Sequence, residues 1–403
     1  MSIFKKIIKF TLLSVLALIV FIFLDFLYLW NWGLKKDTKI SIELPVPTGL
    51  FKVGRTLFDW TDTTRYDPFE TSKKRELMVW VWYPVTATNK CRRAAYLPGK
   101  WGESAAKGHA FDLHMKLNEG KLSLFIPRPP VSALSIQNIK TASYENALID
   151  SAKSFPVLFF SPGLGMMPTD YTAILENIAS HGYIVVGVNP THFVGSTYFS
   201  NGTSVGGIPI LSRFENLENF ISVWVNDLLF SMKKIKELNL SDKSLLFHHV
   251  NLNEAGIFGH SYGGAAAAVA CFKDSTFKAG INLDGSPRGR AEQWKIKQPF
   301  LILQSDHGIH TDKAELLFYH GLKNARLIVI KNSRHRAFSD EAVYPLPNSG
   351  REKLLGKIEG KKMVAITSDF ILAFFDIYLK HYSANSTASS RSTLALKFGS
   401  AAR

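Results

Sequence analysis

Gly259-His260-Ser261-Tyr262-Gly263 fits the G-x-S-x-G pattern, a sharp turn that lifts a serine hydroxyl above the end of a sheet, where it can act as a nucleophile. Three fixed positions held by common residues also arise by chance, so the flanks decide whether the pattern has meaning. Glu254-Ala-Gly-Ile-Phe-Gly259 reads as a short buried strand, and 264–271 is an alanine-rich run suited to a close-packed helix. Strand, tight turn and helix are what the pattern requires. Gly259 and Gly263 suit a turn whose backbones approach too closely for a Cβ. Ser261 is therefore the candidate nucleophile.

A serine hydroxyl is a weak nucleophile until an imidazole takes its proton, and a carboxylate must hold that imidazole in the correct tautomer. With the partners in the chain order serine, acid, histidine, each on a loop after a strand, Asp284 is the first candidate acid. It follows Ile281-Asn282-Leu283 and precedes Gly285. Asp306, which ends the apolar run 301–304, is its rival. His335, in Asn332-Ser-Arg-His-Arg336 beyond the last predicted strand, is the candidate base, and only His381 follows it. A tetrahedral intermediate also needs two backbone N–H donors for its oxyanion. Tyr262 supplies one from the elbow, and Leu164, in the glycine-rich Ser161-Pro-Gly-Leu-Gly165, is the candidate for the other.

Asp306-His307-Gly308-Ile309-His310-Thr311-Asp312 concentrates imidazoles and carboxylates, yet a loop entering a helix capped by Thr311 or Asp312 explains that polarity. No metal and no cofactor are expected. Asn201-Gly202-Thr203 and Asn385-Ser386-Thr387 match glycosylation sequons, which matter only in a eukaryotic secretory setting.

The elements that must position these side chains alternate between strand and helix periodicity. Residues 49–54 and 76–83 alternate as strands do, with Pro84 closing the second, and predict an antiparallel start to a sheet. From 86 to 150 the pattern breaks into polar and short apolar pieces, which predicts an inserted cap acting as a lid. Strands are then expected at 155–160, 184–188, 254–259, 280–283, 299–304 and 326–331. Helices are expected at 171–181, 214–238, after the elbow, and at 363–382, with a loop holding Asn201-Gly202 and Gly206-Gly207. Such alternation signals a mostly parallel sheet flanked by helices, an α/β architecture. The Ser-, Ala- and Thr-rich residues 383–403 read as a disordered tail.

Lys5, Lys6 and Lys9 precede an almost unbroken apolar run from Phe10 to Leu24 that continues through Asp25 to Trp32. The stretch is long enough for a hydrocarbon core, Tyr28, Trp30 and Trp32 suit an interfacial belt, and no small-residue cleavage site follows. Residues 1–34 are expected to be a single-pass signal anchor, with 35–382 forming the catalytic domain on the non-cytoplasmic side. The net charge of +15 is spread along the chain without a nucleic-acid motif and reads as a solvated surface, so no nucleic-acid partner is expected. Cys91 and Cys271 are too few for a disulfide framework. Oligomeric state leaves no trace in the sequence.

The chain resembles the platelet-activating-factor acetylhydrolase family, the plasma and intracellular type, and its bacterial relatives, from about Pro47 to Leu379. The resemblance rests on Pro47-Thr48-Gly49, Trp82-Tyr83-Pro84, Ser161-Pro-Gly-Leu-Gly165, Ser180-His-Gly-Tyr-Ile-Val185, the elbow, Leu283-Asp284-Gly285 and Ser333-Arg-His335. It implies an α/β-hydrolase fold and a calcium-independent serine esterase acting on short or oxidised sn-2 acyl groups of phospholipids. It further implies Ser261, Asp284 and His335 at the triad positions and an oxyanion hole at Leu164 and Tyr262. The chain departs from the family at Pro162, where histidine is frequent, and at Tyr262, where phenylalanine is frequent. The competing expectations are an esterase or depolymerase on soluble or polymeric esters, and a catalytically silent hydrolase-fold binding protein.

Overall fold

Strands rich in Val, Ile, Phe and Trp that are buried on both faces need helices on both sides, and the chain supplies them. The computed structural model describes residues 3–32, 41–86, 91–117, 131–150, 154–208, 217–288, 295–306, 322 and 324–382. It divides into two compact units. One comprises 1–43, 95–140 and 345–350, and holds helices α1 (Ile3–Trp32), α2 (Gly99–Leu117) and α3 (Ala133–Gln137). Within α1, Lys5–Leu27 has a mean hydropathy of 2.8 and is long and apolar enough to cross a membrane. Its apolar side chains are exposed, Phe10 at 74%, whereas Asp25 is buried.

The second unit contains nearly all of a ten-stranded sheet. In chain order the strands are β1 (Lys52–Tyr66), β2 (Lys74–Val85), β3 (Arg93–Ala95), β4 (Lys140–Glu145), β5 (Phe155–Ser161) and β6 (Ile184–Val188). A small hairpin, β7 (Ser196–Tyr198) and β8 (Ser204–Gly206), precedes β9 (Val250–His260), β10 (Phe277–Leu283), β11 (Phe300–Ser305) and β12 (Ala325–Ile330). Spatial order in the large sheet is β12-β11-β10-β9-β5-β6-β2-β1-β4-β3. The run from β12 to β6 is parallel, and β2 joins β6 and β1 antiparallel. Helices α4 (Thr172–Ser180), α5 (Leu217–Leu240), α6 (Tyr262–Lys273), α7 (Asn348–Leu355) and α8 (Gly360–Leu379) complete the set.

Strand periodicity sorts the packing onto two faces. Ala255 and Ile257 of β9 join a core cluster with Ala265 to Ala270 of α6 and Trp224 and Leu228 of α5, while the intervening Phe258 meets Phe375 of α8 edge-on at 6.1 Å. Small side chains along α6 let it lie close over the sheet, which brings the residue before its first turn against the strand ends.

Apart from the first, expected at 49–54 and found as β1 at Lys52–Tyr66, the predicted core strands fall where the alternation placed them, and the other differences from prediction are local. Residues 86–150, read as a cap, include β3 and β4, which belong to the sheet edge. Polar β4 is held there by Glu176 of α4, whose carboxylate accepts the N–H groups of Ala142 (2.9 Å) and Ser143 (2.7 Å), a long-range pairing that local pattern does not encode. The loop expected around Asn201-Gly202 is the turn of the β7–β8 hairpin, with Gly202 at φ +86 as such a turn demands. The helix expected near Thr311 and the tail 383–403 lie outside the described residues. Cys91 and Cys271 are both free, and burial pushes the Cys271 thiol upward.

A buried ion network locks β2 to α5. Arg75, 1% exposed, bonds Asp67 (2.9 Å) and Asp227 (2.6 Å), Arg65 reaches Asp227 (2.9 Å), and His192 Nε2 lies 3.0 Å from Asp67. Burial alone would raise the Asp67 carboxyl, but hydrogen bonds from His192, the Phe69 N–H and Arg75 outweigh it and hold the group far below the usual range. Removing one member leaves buried charge without its counterpart. Arg75→Ala should therefore lose about 3–5 kcal/mol in urea unfolding, whereas Lys73→Ala, which breaks the exposed Lys73–Glu70 pair, should leave the unfolding midpoint close to that of wild type. Equal losses would show that the network contributes no more than surface charge does.

Candidate functional site

The parallel strands all end at one edge, and the loops leaving β5, β9, β10 and β12 carry the candidate residues. Ser261 occupies the turn between β9 and α6 with φ 55 and ψ −124, a left-handed conformation that a non-glycine residue holds only under constraint. The constraint is visible. The Ser261 N–H donates to Leu283 O (2.8 Å), and its carbonyl accepts from Ala265 N (3.1 Å). A Cβ on Gly259 would stand 2.3 Å from Gly263 O, and one on Gly263 would stand 2.2 Å from Ser161 O and Pro162 O. Glycine at 259 and 263 lets the elbow close and lets the loop after β5 lie against it.

His335 begins a short 3-10 turn (His335–Phe338) beyond β12. Its Nε2 lies 2.9 Å from Ser261 Oγ, and its Nδ1 lies 2.7 Å from Asp284 Oδ2. Asp284, 3% exposed, also accepts the Ser305 N–H at Oδ1 (2.8 Å) and the Ser305 hydroxyl at Oδ2 (2.9 Å). Burial alone would raise this carboxyl, but the hydrogen bond and charge of His335 and the Ser305 N–H outweigh it and hold it below the usual carboxylate range. Asp284 is thus ionised at neutral pH. The serine, imidazole and carboxylate form one continuous hydrogen-bonded chain.

Asp306, the rival acid, takes another part. Its Oδ2 accepts the Asn332 N–H (2.8 Å) and its Oδ1 lies 3.7 Å from Lys331 Nζ, so it ties the ends of β11 and β12 together. The remainder of its histidine-containing stretch, 307–312, lies outside the described residues.

Backbone donors in the loop after β5 can be followed one at a time. Gly163 N–H donates to the Tyr171 hydroxyl (3.0 Å), Gly165 N–H to Phe193 O (3.0 Å) and Met166 N–H to Gly163 O (3.0 Å). The Leu164 N–H has no acceptor among the described residues. Tyr262 is the first residue of α6, where an N–H has no intrahelical acceptor. Its ring packs edge-on against Trp224 at 4.9 Å and its hydroxyl donates to Leu217 O, which fixes the start of the helix.

Sequence reasoning missed Ser305, Tyr171 and the role of His260. His260 was legible as the neighbour of Ser261 in the motif, whereas nothing local marks Tyr171. The two meet only in the fold, Tyr171 Oη 2.7 Å from His260 Nδ1.

The sequence matches the family described as platelet-activating factor acetylhydrolase, isoform II, over residues 38–201 and 231–392. A probable 1-alkyl-2-acetylglycerophosphocholine esterase of Arthroderma benhamiae is 26% identical over 367 residues, covering 85% of this chain and 87% of that protein. The platelet-activating factor acetylhydrolase of Cavia porcellus is 27% identical over 270 residues, covering 60% of this chain and 62% of that enzyme. Among solved structures, a ferulic acid esterase from Streptomyces cinnamoneus superposes with a TM-score of 0.66 at 22% identity, covering 88% of this chain and 98% of that one, a likeness of fold. A mostly parallel sheet with a serine at the elbow after β9, in a sequence matched along most of its length, places this chain in the platelet-activating factor acetylhydrolase, isoform II family of α/β-hydrolase fold.

Proposed function

We propose that this protein is a serine esterase that hydrolyses carboxylic esters of phospholipids, with short or oxidised sn-2 acyl groups as substrates, through an acyl-enzyme on Ser261. The observation that carries this assignment is the chain of hydrogen bonds from Ser261 Oγ through His335 to Asp284, at 2.9 and 2.7 Å. Its substrate class follows the names of the Arthroderma and Cavia relatives.

Ser261 Oγ attacks the acyl carbon while His335 Nε2 takes its proton, and the imidazolium so formed is stabilised by ionised Asp284 across Nδ1. The carbonyl oxygen becomes an oxyanion, received by the N–H groups of Leu164 and Tyr262. Collapse breaks the ester bond, and His335 returns the proton to the departing glycerol oxygen, releasing the lysophospholipid. Water, deprotonated by the same imidazole, then attacks the acyl-serine, and the acid leaves with Ser261 regenerated. Pro162 stiffens the oxyanion loop without touching the Leu164 donor. The reaction in this form needs no metal ligand from the chain.

The apolar helix α1 fits the part of a signal anchor, holding the catalytic unit to a membrane on its non-cytoplasmic side, with Lys5, Lys6 and Lys9 left inside. The dispersed positive charge suits contact with anionic headgroups.

Fluorophosphonate labelling of the full-length chain should mark wild type and spare Ser261→Ala. With a short-acyl phospholipid, Asp284→Asn should lower kcat by roughly 10⁴-fold, and Asp306→Asn should stay within about threefold of wild type, since Asp284 holds the imidazole while Asp306 bonds the Asn332 N–H. Absence of labelling in folded wild type, or greater loss from Asp306→Asn than from Asp284→Asn, would remove the assignment. Alkaline carbonate extraction should leave the chain in the membrane pellet. Release into the supernatant would show that α1 does not anchor it.

A further inference from the structure

Two buried polar side chains behind the nucleophile remain outside the steps above. Tyr171, which closes the 3-10 turn Pro168–Tyr171, is fully buried, and His260, the last residue of β9, is 1% exposed. A buried phenol and a buried imidazole need partners, and these two find them in each other and in two functional loops. Tyr171 Oη lies 3.0 Å from Gly163 N in the loop that carries Leu164, and 2.7 Å from His260 Nδ1. On the far side of the ring, His260 Nε2 lies 2.9 Å from the backbone oxygen of His335. The chain of contacts runs from the loop after β5, through two side chains, to the loop after β12.

Its direction follows from which atoms can donate. The His335 carbonyl can only accept, so Nε2 of His260 must carry a proton. The Gly163 N–H can only donate, so the Tyr171 oxygen accepts from it and must spend its own proton elsewhere. Bare Nδ1 of His260, at 2.7 Å, is the stronger acceptor, and Met166 Sδ, at 3.1 Å, is the weaker. One arrangement satisfies every group: Gly163 N–H to Tyr171, Tyr171 O–H to His260 Nδ1, and His260 Nε2–H to the His335 carbonyl. Burial supports it on both sides, pushing the Tyr171 phenol well above its usual value and the His260 imidazole well below its own. Both groups are then neutral, and one tautomer is fixed.

We infer that Tyr171 and His260 are positioning residues for the esterase reaction, a relay that sets the oxyanion loop and the base loop in register with each other. The inference rests on the assignment of Ser261 and His335 as nucleophile and base and of Leu164 as an oxyanion donor. Both side chains are buried, so the relay acts through the loops it joins. It acts at one end by drawing the Gly163 N–H inward, which leaves the next N–H, that of Leu164, for the oxyanion. At the other end it holds the His335 backbone, while the ring of His260 lies 4.6 Å from that of His335, centroid to centroid. Tight packing leaves little slack. A Cβ on Gly163 would stand 3.1 Å from His260 Nδ1 and 3.2 Å from Tyr171 Oη.

Such a device acts in the transition state, where the oxyanion and the imidazolium must be served together, more than in substrate binding. Tyr171→Phe keeps the ring and removes the hydroxyl alone. Full-length protein in detergent micelles, assayed with p-nitrophenyl acetate, should show kcat lowered by about tenfold or more with KM within about twofold, because the lost interaction serves the transition state. A kcat within about twofold of wild type, in a variant that melts above the assay temperature, would overturn the relay. The second measurement needs no variant that could misfold: histidine-selective ¹⁵N spectra of wild type near neutral pH. They should show His260 protonated at Nε2 and bare at Nδ1, and a ring protonated at Nδ1 or at both nitrogens would overturn the proposal. Fluorophosphonate labelling of the same wild-type sample separates the two levels. Failure to label removes the esterase assignment itself, whereas labelling with an unaltered Tyr171→Phe removes only the relay.

Discussion

The close approach of backbones around Ser261 is the constraint on which the site depends. A non-glycine residue at φ 55 costs about 1–3 kcal/mol, and the cost is met because neighbours at the ends of β5 and β10 hold the turn. The Ser261 N–H is bonded to the end of β10, the loop after β5 lies within contact of Gly263, and a Cβ on Gly285 would meet the Ser261 carbonyl at 2.1 Å. The same contacts that force the elbow therefore gather the Leu164 loop, Ser261 and Asp284 at one edge.

Asp284 shows how position and ionisation are set together. It too has a positive φ, 54, and its N–H donates to Leu303 O at 2.7 Å, which turns the carboxylate back over the strand ends. A buried carboxylate without donors would prefer to be protonated, and a protonated one could not steady an imidazolium. Ser305 supplies two donors from the next strand and His335 supplies the third. The placement of Asp284 after β10 thus depends on β11 being in register beside it. Asp306, one residue further along, leaves the sheet and goes to Asn332 instead.

Much of this was legible in local pattern, and the remainder has a common cause. The parallel strands, the long α5 and the elbow are marked by apolar runs, helical spacing and paired glycines, all properties of contiguous residues. Ser261, Asp284 and His335 could be named because each sits just beyond such an element. What escaped were pairings between distant segments: polar β4 docked by the Glu176 carboxylate, the ion network joining Arg75 to Asp227, Ser305 on Asp284, and Tyr171 on His260. A buried polar side chain is recognisable only with its partner, and the partner lies tens to hundreds of residues away. The choice between Asp284 and Asp306 was open for the same reason, since both end apolar strands and only the fold shows which one faces the imidazole.

The buried polar groups divide into two kinds, and electrostatics explains why they are kept apart. Around Arg75 each charge faces an opposite charge, which suits a lock between β2 and α5 that never changes state. Beside His335 lies the buried, neutral imidazole of His260, itself bonded to a neutral phenol, and among the described residues Asp284 is the carboxylate bonded to the His335 ring. A positive His260 beside an imidazolium at 4.6 Å would oppose its formation by roughly 4 kcal/mol at an effective dielectric of about 20, which corresponds to two to three orders of magnitude in rate. Burial of His260, together with a proton donor at its Nδ1, removes that penalty before the reaction begins. The proposed reaction creates positive charge on one ring and needs the adjoining ring to stay neutral, and β9 delivers that ring in the residue next to Ser261.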